Sequence, residues 1–275
     1  MQLGVFNKLT INRLTLVGAF LEDIQGNEVL LPKKYLSDAM QVDSEVSVFI
    51  MKDSENRIVA TTETPHLLLG GFAYLRIAEI NPFGAFADWG LDKDLFVPFR
   101  EQIYKLFIDE KYLFVLKYDH ETDRLFGSMK VKKSFEFCDE ELTGLEVDLL
   151  ICEQTELGIN VIVNNKYSGL IYTQDFNKPL ERGERSKGYV TKVREDGKLD
   201  VRFEPTTFEK YDMASEELLE KLRKEKVLFL TDRSNPEDIR EQLGMSKKTF
   251  KQAVGKLYRH RKINLCSDRI EFIEQ

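Results

Sequence analysis

The tripeptide Gly-Ala-Phe occurs at residues 18–20 and again at 84–86. Fourteen residues after each glycine stands a proline in an apolar context, Pro32 after Leu30-Leu31 and Pro98 after Phe96-Val97. A third copy is in register, because Gly158 is followed fourteen residues later by Tyr172 at the end of Gly169-Leu170-Ile171-Tyr172. From 18 to 84 to 158 the glycines stand 66 and then 74 residues apart. Self-similarity at a fixed period constrains the fold more strongly than any local signal, because each copy must be one supersecondary unit.

Each unit reads as β structure. Around the first glycine, Leu14, Leu16 and Val17 precede, and Val29-Leu30-Leu31 follows the turn-like Gln25-Gly26-Asn27. Around the second, Leu75, Ile77 and Ile80 lead to Phe83 and Phe86, with Asp88-Trp89-Gly90 as the turn. Around the third, Asn160-Val161-Ile162-Val163 reaches Asn164-Asn165 before Gly169 returns. Apolar runs broken by Gly, Asn and Asp are hairpin signals. Two further strands complete each unit: Val46–Met51 with Ile58–Thr62, Tyr112–Tyr118 with Leu125–Val131, and Gly188–Val193 with Leu199–Phe203. Five short strands in about 65 residues fit a small closed barrel of the OB type.

The pattern changes after residue 214. Ser215-Glu216-Glu217 reads as a helix start with a cap and an acidic first turn, followed by Leu218, Leu219, Leu222 and Val227. Ser234-Asn235-Pro236 starts a second short helix ending at Leu243-Gly244, and Ser246 caps a third in which Phe250, Val254 and Leu257 follow i, i+4, i+7. Ile263–Leu265 and Ile270–Ile273 then flank Ser267-Asp268 as a hairpin. The expected organisation is three barrels (1–66, 67–142, 143–214) and a helical module (215–275), a mainly β multidomain chain.

Charge divides along the same line. The formal net charge is −7. The last 61 residues hold fourteen Lys and Arg against eleven Asp and Glu, and the first 214 hold 26 against 36. Residues 247–262 carry seven Lys/Arg and no acidic residue, so the third helix is a candidate phosphate-contact surface. Three cysteines and three scattered histidines make neither a disulfide framework nor a zinc site. No phosphate-cradling glycine loop and no acid–base pair of carboxylates is visible. The reading is a reduced, cytoplasmic, monomeric, non-catalytic chain with no cofactor, no metal and no membrane attachment.

The stretch Ile77-Ala78-Glu79-Ile80-Asn81-Pro82-Phe83-Gly84-Ala85-Phe86, followed by Leu95-Phe96-Val97-Pro98, resembles the S-one-type RNA-binding domain, an OB barrel whose aromatics around this turn lie on the nucleic-acid face. Phe83 and Phe86 match those positions. Phe20 alone matches in the first copy, and the third retains neither phenylalanine. That family often has a histidine where Pro32, Pro98 and Tyr172 stand. The segment from Gln242 to Lys251 is similar to helix-turn-helix cores, and helix, helix–turn–helix, hairpin is the order of a winged helix, whose third helix and wing approach nucleic acid. Three such barrels followed by a winged helix resemble the conserved virulence factor B family of Firmicutes. The resemblance implies an RNA-binding, post-transcriptional regulator of gene expression.

The candidate RNA contacts are Phe83 and Phe86 for stacking; Lys166, Tyr167, Tyr172, Lys187, Lys192 and Arg194 on the third barrel; and Lys247, Lys248, Lys251, Arg259, Arg261 and Lys262 in the basic stretch 247–262, which the third helix occupies to about Arg259. Trp89 either stacks on a base or covers the barrel end. Single-stranded RNA is the expected partner. Two other readings stay open: a scaffold for ribosomal or RNA-degradation machinery, and a duplex-DNA transcription regulator.

Overall fold

One strand order is used three times. The computed structural model describes residues 1–176, 180–203 and 207–273. In the first unit, β1 (Phe6–Thr15), β2 (Gly18–Glu22), β3 (Glu28–Pro32), β4 (Glu45–Lys52) and β5 (Ile58–Thr61) close a barrel in the order β1-β2-β3-β5-β4. In the second, β6 (Phe72–Asn81), β7 (Gly84–Asp88), β8 (Leu95–Pro98), β9 (Lys111–Asp119) and β10 (Arg124–Ser128) form a sheet ordered β10-β9-β6-β7-β8. In the third, β11 (Glu146–Gln154), β12 (Gly158–Val163), β13 (Tyr167–Tyr172), β14 (Arg185–Val193) and β15 (Leu199–Arg202) close as the first does. A short 3₁₀ turn follows the third strand of each unit, at Lys33–Tyr35, Phe99–Glu101 and Thr173–Asp175.

The second unit departs from the expected closed barrel along one seam. A Cβ placed on Gly127 of β10 would stand 3.0 Å from a Val97 methyl and 3.1 Å from a Leu95 methyl of β8. Side chains of β8 therefore pack against β10 where a ladder would otherwise run.

The fourteen-residue spacing is a strand register. Gly18 pairs with Pro32, Gly84 with Pro98, and Gly158 with Tyr172. A Cβ on these glycines would lie 2.1 Å from the Leu31 carbonyl oxygen, 2.6 Å from that of Val97 and 2.0 Å from that of Ile171. Glycine is thus required by the close approach of the partner strand. Each first strand also shifts register, between Ile11 and Arg13, Ile77 and Glu79, and Ile151 and Gln154. Such bulges bend a strand so that it can serve two neighbours in a small barrel.

Inward positions alternate with outward ones, as period-two strands require. Ile11, Ala19, Leu21, Leu31, Ile50 and Ala60 fill the first barrel. Trp89 is 4% exposed; its ring meets Phe49 of β4 edge-on at 5.7 Å and its Nε1 donates to the Lys93 carbonyl at 2.6 Å. It covers the barrel end and joins the first two units. The second and third are joined by Phe72, whose amide donates to Asn165 Oδ1 at 2.8 Å and whose ring stacks on Phe135 at 5.1 Å.

The chain forms two compact bodies, Met1–Val201 and Arg202–Gln275. The second contains α1 (Thr207–Glu225), β16 (Val227–Leu228), α2 (Pro236–Leu243), α3 (Lys247–Arg259), β17 (Ile263–Leu265) and β18 (Ile270–Phe272), with the sheet ordered β16-β18-β17. This is a winged helix. The start expected at Ser215 is corrected: α1 begins at Thr207, and the Ser215 hydroxyl donates back to the Tyr211 carbonyl at 2.6 Å inside the helix. Val227, read as helical, belongs to β16 and pairs with Glu271. The other caps stand as expected. Asn235 accepts from the Glu237 amide, Ser246 from the Thr249 amide, and Gly244 ends α2 at φ 67°. Phe250, Ala253, Val254 and Leu257 of α3 turn into a core with Leu218, Leu222 and Ile239.

Candidate nucleic-acid interface

The turn from β6 to β7 lifts Phe83 off the second unit. Its amide donates to Asn81 Oδ1 at 2.9 Å, and its ring is 77% exposed. Two residues beyond Gly84, Phe86 points outward and stands opposite Phe96 in register, with ring centroids 5.3 Å apart. Phe99, in the 3₁₀ turn after Pro98, is 52% exposed. The strands thus carry an outward row, Phe83, Phe86, Phe96 and Phe99, that no inward packing demands. Phe96 and Phe99 were missed from sequence, although the glycine register places Phe96 opposite Phe86. Of the acidic residues nearby, Asp88 pairs with Arg76 at 3.1 Å and Asp92 pairs with Lys34.

The equivalent ring of the first barrel, Phe20, lies under the Arg13 guanidinium, 4.1 Å from the centroid. Arg13 is itself ion-paired with Glu28. At the tip of that turn Leu16 and Val17 are exposed. Pro32, Pro98 and Tyr172 hold the same half-buried, outward position in the three units.

On the third barrel the candidates separate. Tyr167, expected among the RNA contacts, turns away from the surface: it is 3% exposed and points inward, its hydroxyl donating to Glu140 Oε1 at 2.8 Å. That hydrogen bond to a carboxylate pushes the phenol up to about 12. Tyr172 is half-buried, and its hydroxyl accepts from Arg194 Nη2 at 3.2 Å. Arg194 is committed to Asp200, to which Nε donates at 2.9 Å; that hydrogen bond raises the guanidinium further above its ordinary value. Lys187 pairs with Asp148 at 2.7 Å, and Lys166 lies 3.9 Å from Glu136. Lys192 is exposed with no ion pair among the described residues.

On the winged helix, Lys247 donates to the Ser234 carbonyl at 2.9 Å and ties the start of α3 to the segment leading into α2. Lys248, Lys251, Arg259 and Arg261 are exposed, and Lys262 is half-buried. Gly255 stands on the same face of α3, and a Cβ there would meet nothing within 4 Å. The described residues hold no group of three or more His, Cys, Asp or Glu that could hold a metal, and no helix long and apolar enough to cross a membrane.

Comparison with known proteins matches both ends. Residues 3–63 fit the family model of the S1 domain and residues 216–272 that of the CvfB-like winged helix domain. The protein named YitL of Bacillus subtilis is 27% identical over 266 residues, 93% of this chain and 88% of its own length. Conserved virulence factor B of Staphylococcus aureus strain MRSA252 is 24% identical, covering 91% and 87%, and that of Staphylococcus saprophyticus 22%, covering 93% and 89%. A crystal structure of a Streptococcus pneumoniae multidomain protein with nucleic acid binding domains aligns over 98% of both chains, at 22% identity and a TM-score of 0.42.

Proposed function

From a chain that joins S1-type barrels to a CvfB-like winged helix, and that is a relative of the conserved virulence factor B proteins, we propose a non-catalytic protein that binds single-stranded RNA and regulates gene expression after transcription. The observation that carries this reading is the outward row of Phe83, Phe86, Phe96 and Phe99. Exposed rings are costly to leave in water, and unpaired bases have π-faces that cover them. Each stacked base contributes about 1–3 kcal/mol without demanding a sequence.

The basic face of α3 supplies a second element, the charge that the acidic barrels lack. Lys248, Lys251, Arg259 and Arg261 suit phosphates, and no acid within residues 247–262 opposes them. The test is a titration of labelled single-stranded RNA with the wild type and with Phe83→Ala. The substitution removes an exposed ring and should weaken binding about five- to 150-fold at unchanged stability. Equal affinity would remove the stacking face from the account. Competition by duplex DNA separates a transcription regulator from this reading. The exposed Leu16 and Val17 favour the scaffold alternative, and a nuclease-resistant co-purification that depends on them would support it.

A further inference from the structure

The third barrel lacks rings where the second unit carries them. Counting from the register glycines, Asn160 and Leu170 take the places of Phe86 and Phe96, and they pair with each other in the same way. Yet both residues line a cleft of about 1460 Å³ whose lining also includes Tyr74, Tyr104 and Tyr112 of the second unit. Tyr104 is 56% exposed, and its ring stands 5.9 Å from that of Tyr112. An exposed ring braced by a second ring at a cleft rim is a ready stacking platform. Asn160 is exposed, and its amide has no hydrogen-bond partner among the described residues. A free side-chain amide offers donors and an acceptor to the edge of a base.

The charges of the cleft narrow the ligand. Arg182 lies 3.7 Å from Glu153, and Lys198 lies 2.6 Å from Asp196. Among the described residues, Lys111 and Lys132 are the lining cations without an ion pair, and Glu110 and Glu156 offset them. Such a lining is a poor phosphate channel. It suits uncharged planar groups whose phosphates stay at the rim.

We propose that this cleft takes unpaired bases of single-stranded RNA, stacked on Tyr104 and contacted at their edges by Asn160, the second unit supplying the aromatic wall that the third has lost. This site rests on the RNA-binding reading above but is distinct from the Phe83 row.

The experiment uses the full chain and a single-stranded oligoribonucleotide of roughly twelve nucleotides carrying one 2-aminopurine, whose fluorescence is quenched on stacking. Tyr104→Ala should weaken binding about five- to 150-fold and reduce the quench, whereas Tyr104→Phe keeps the ring and stays within about twofold. Asn160→Ala should alter the preference among oligo-A, oligo-C and oligo-U. If Phe83→Ala weakens binding while Tyr104→Ala and Asn160→Ala bind as the wild type does, the cleft proposal is overturned and the RNA-binding reading stands. If the wild type itself binds no RNA at micromolar protein, both fall. A Tyr104→Phe loss as large as that of Tyr104→Ala would also overturn the stacking role.

Discussion

Replacing Gly158 with alanine tests the physical basis of the repeat. The added Cβ would sit 2.0 Å from the Ile171 carbonyl oxygen and 2.9 Å from the Ile171 carbonyl carbon and Tyr172 Cα. All three are backbone atoms of β13, so no side chain can swing away, and the strands must part by about 1 Å to restore van der Waals contact. The glycine also has φ of 155°, where an L residue adds about 1–3 kcal/mol of strain. Parting the strands weakens the bond from the Thr173 amide to the Leu157 carbonyl, now 3.2 Å, at a net cost of about 1 kcal/mol. The expected loss is about 2–4 kcal/mol. In a body the size of Met1–Val201, that lowers Tm by about 4–16 °C. Circular dichroism melts of the wild type and variant measure it. Gly18→Ala should behave alike, at 2.1 Å, and Gly84→Ala less severely, at 2.6 Å. A Gly158→Ala melt within 2 °C of the wild type would refute the assignment of the spacing to strand contact.

Three further outcomes are expected. Gly255→Ala has the opposite sign: nothing lies within 4 Å of the new methyl, so helix propensity alone acts and the winged helix gains about 1 kcal/mol, read as a higher midpoint of the helical signal in urea. A destabilised variant would mean that this face of α3 is not open. Tyr167→Phe should destabilise the third barrel by about 1–2 kcal/mol near neutral pH by deleting the bond to Glu140. Because that bond raises the folded-state phenol to about 12 from an ordinary value near 10, the wild type's margin over the variant holds below pH 10 and shrinks as pH rises toward 12, and urea midpoints against pH would show it. Among the thiols, burial pushes Cys152 up to about 12 and Cys138 is buried, while Cys266 is partly exposed. A thiol reagent should therefore label one cysteine quickly in the native protein and three in urea, and fast labelling of Cys152 would contradict its burial.

What the sequence made legible was periodic or capped. The shared glycine spacing identified the strand pairs, and Asn235, Ser246 and Gly244 marked the ends of α2 and α3. Ser215 misled because a serine before two glutamates has the composition of a cap, while α1 begins at Thr207 and the Ser215 hydroxyl bonds back to the Tyr211 carbonyl within it. Tyr167 was separable in principle. It lies five residues before outward-facing Tyr172, an odd number, so it must face the core. Arg194 looked like a free cation because its partner Asp200 stands across the hairpin from β14 to β15. The cleft was invisible for a stronger reason. Tyr104 and Asn160 come from different units, and only the packing around Phe72 and Asn165 brings their walls together.

Single-stranded RNA binding is the central claim, and its salt dependence tests it most directly. Lys248, Lys251 and Arg259 of α3 and Arg261 in the turn after it are exposed cations; if all four contact phosphates, log affinity should fall against log salt with a slope of about −3. Between 50 and 200 mM salt, affinity would then drop roughly fiftyfold, and reversing Lys248 and Lys251 to glutamate should flatten the slope by about half. Micromolar or tighter binding with that slope is the predicted result. No binding at micromolar protein, or binding indifferent to salt and to both Phe83→Ala and the charge reversals, would contradict the account.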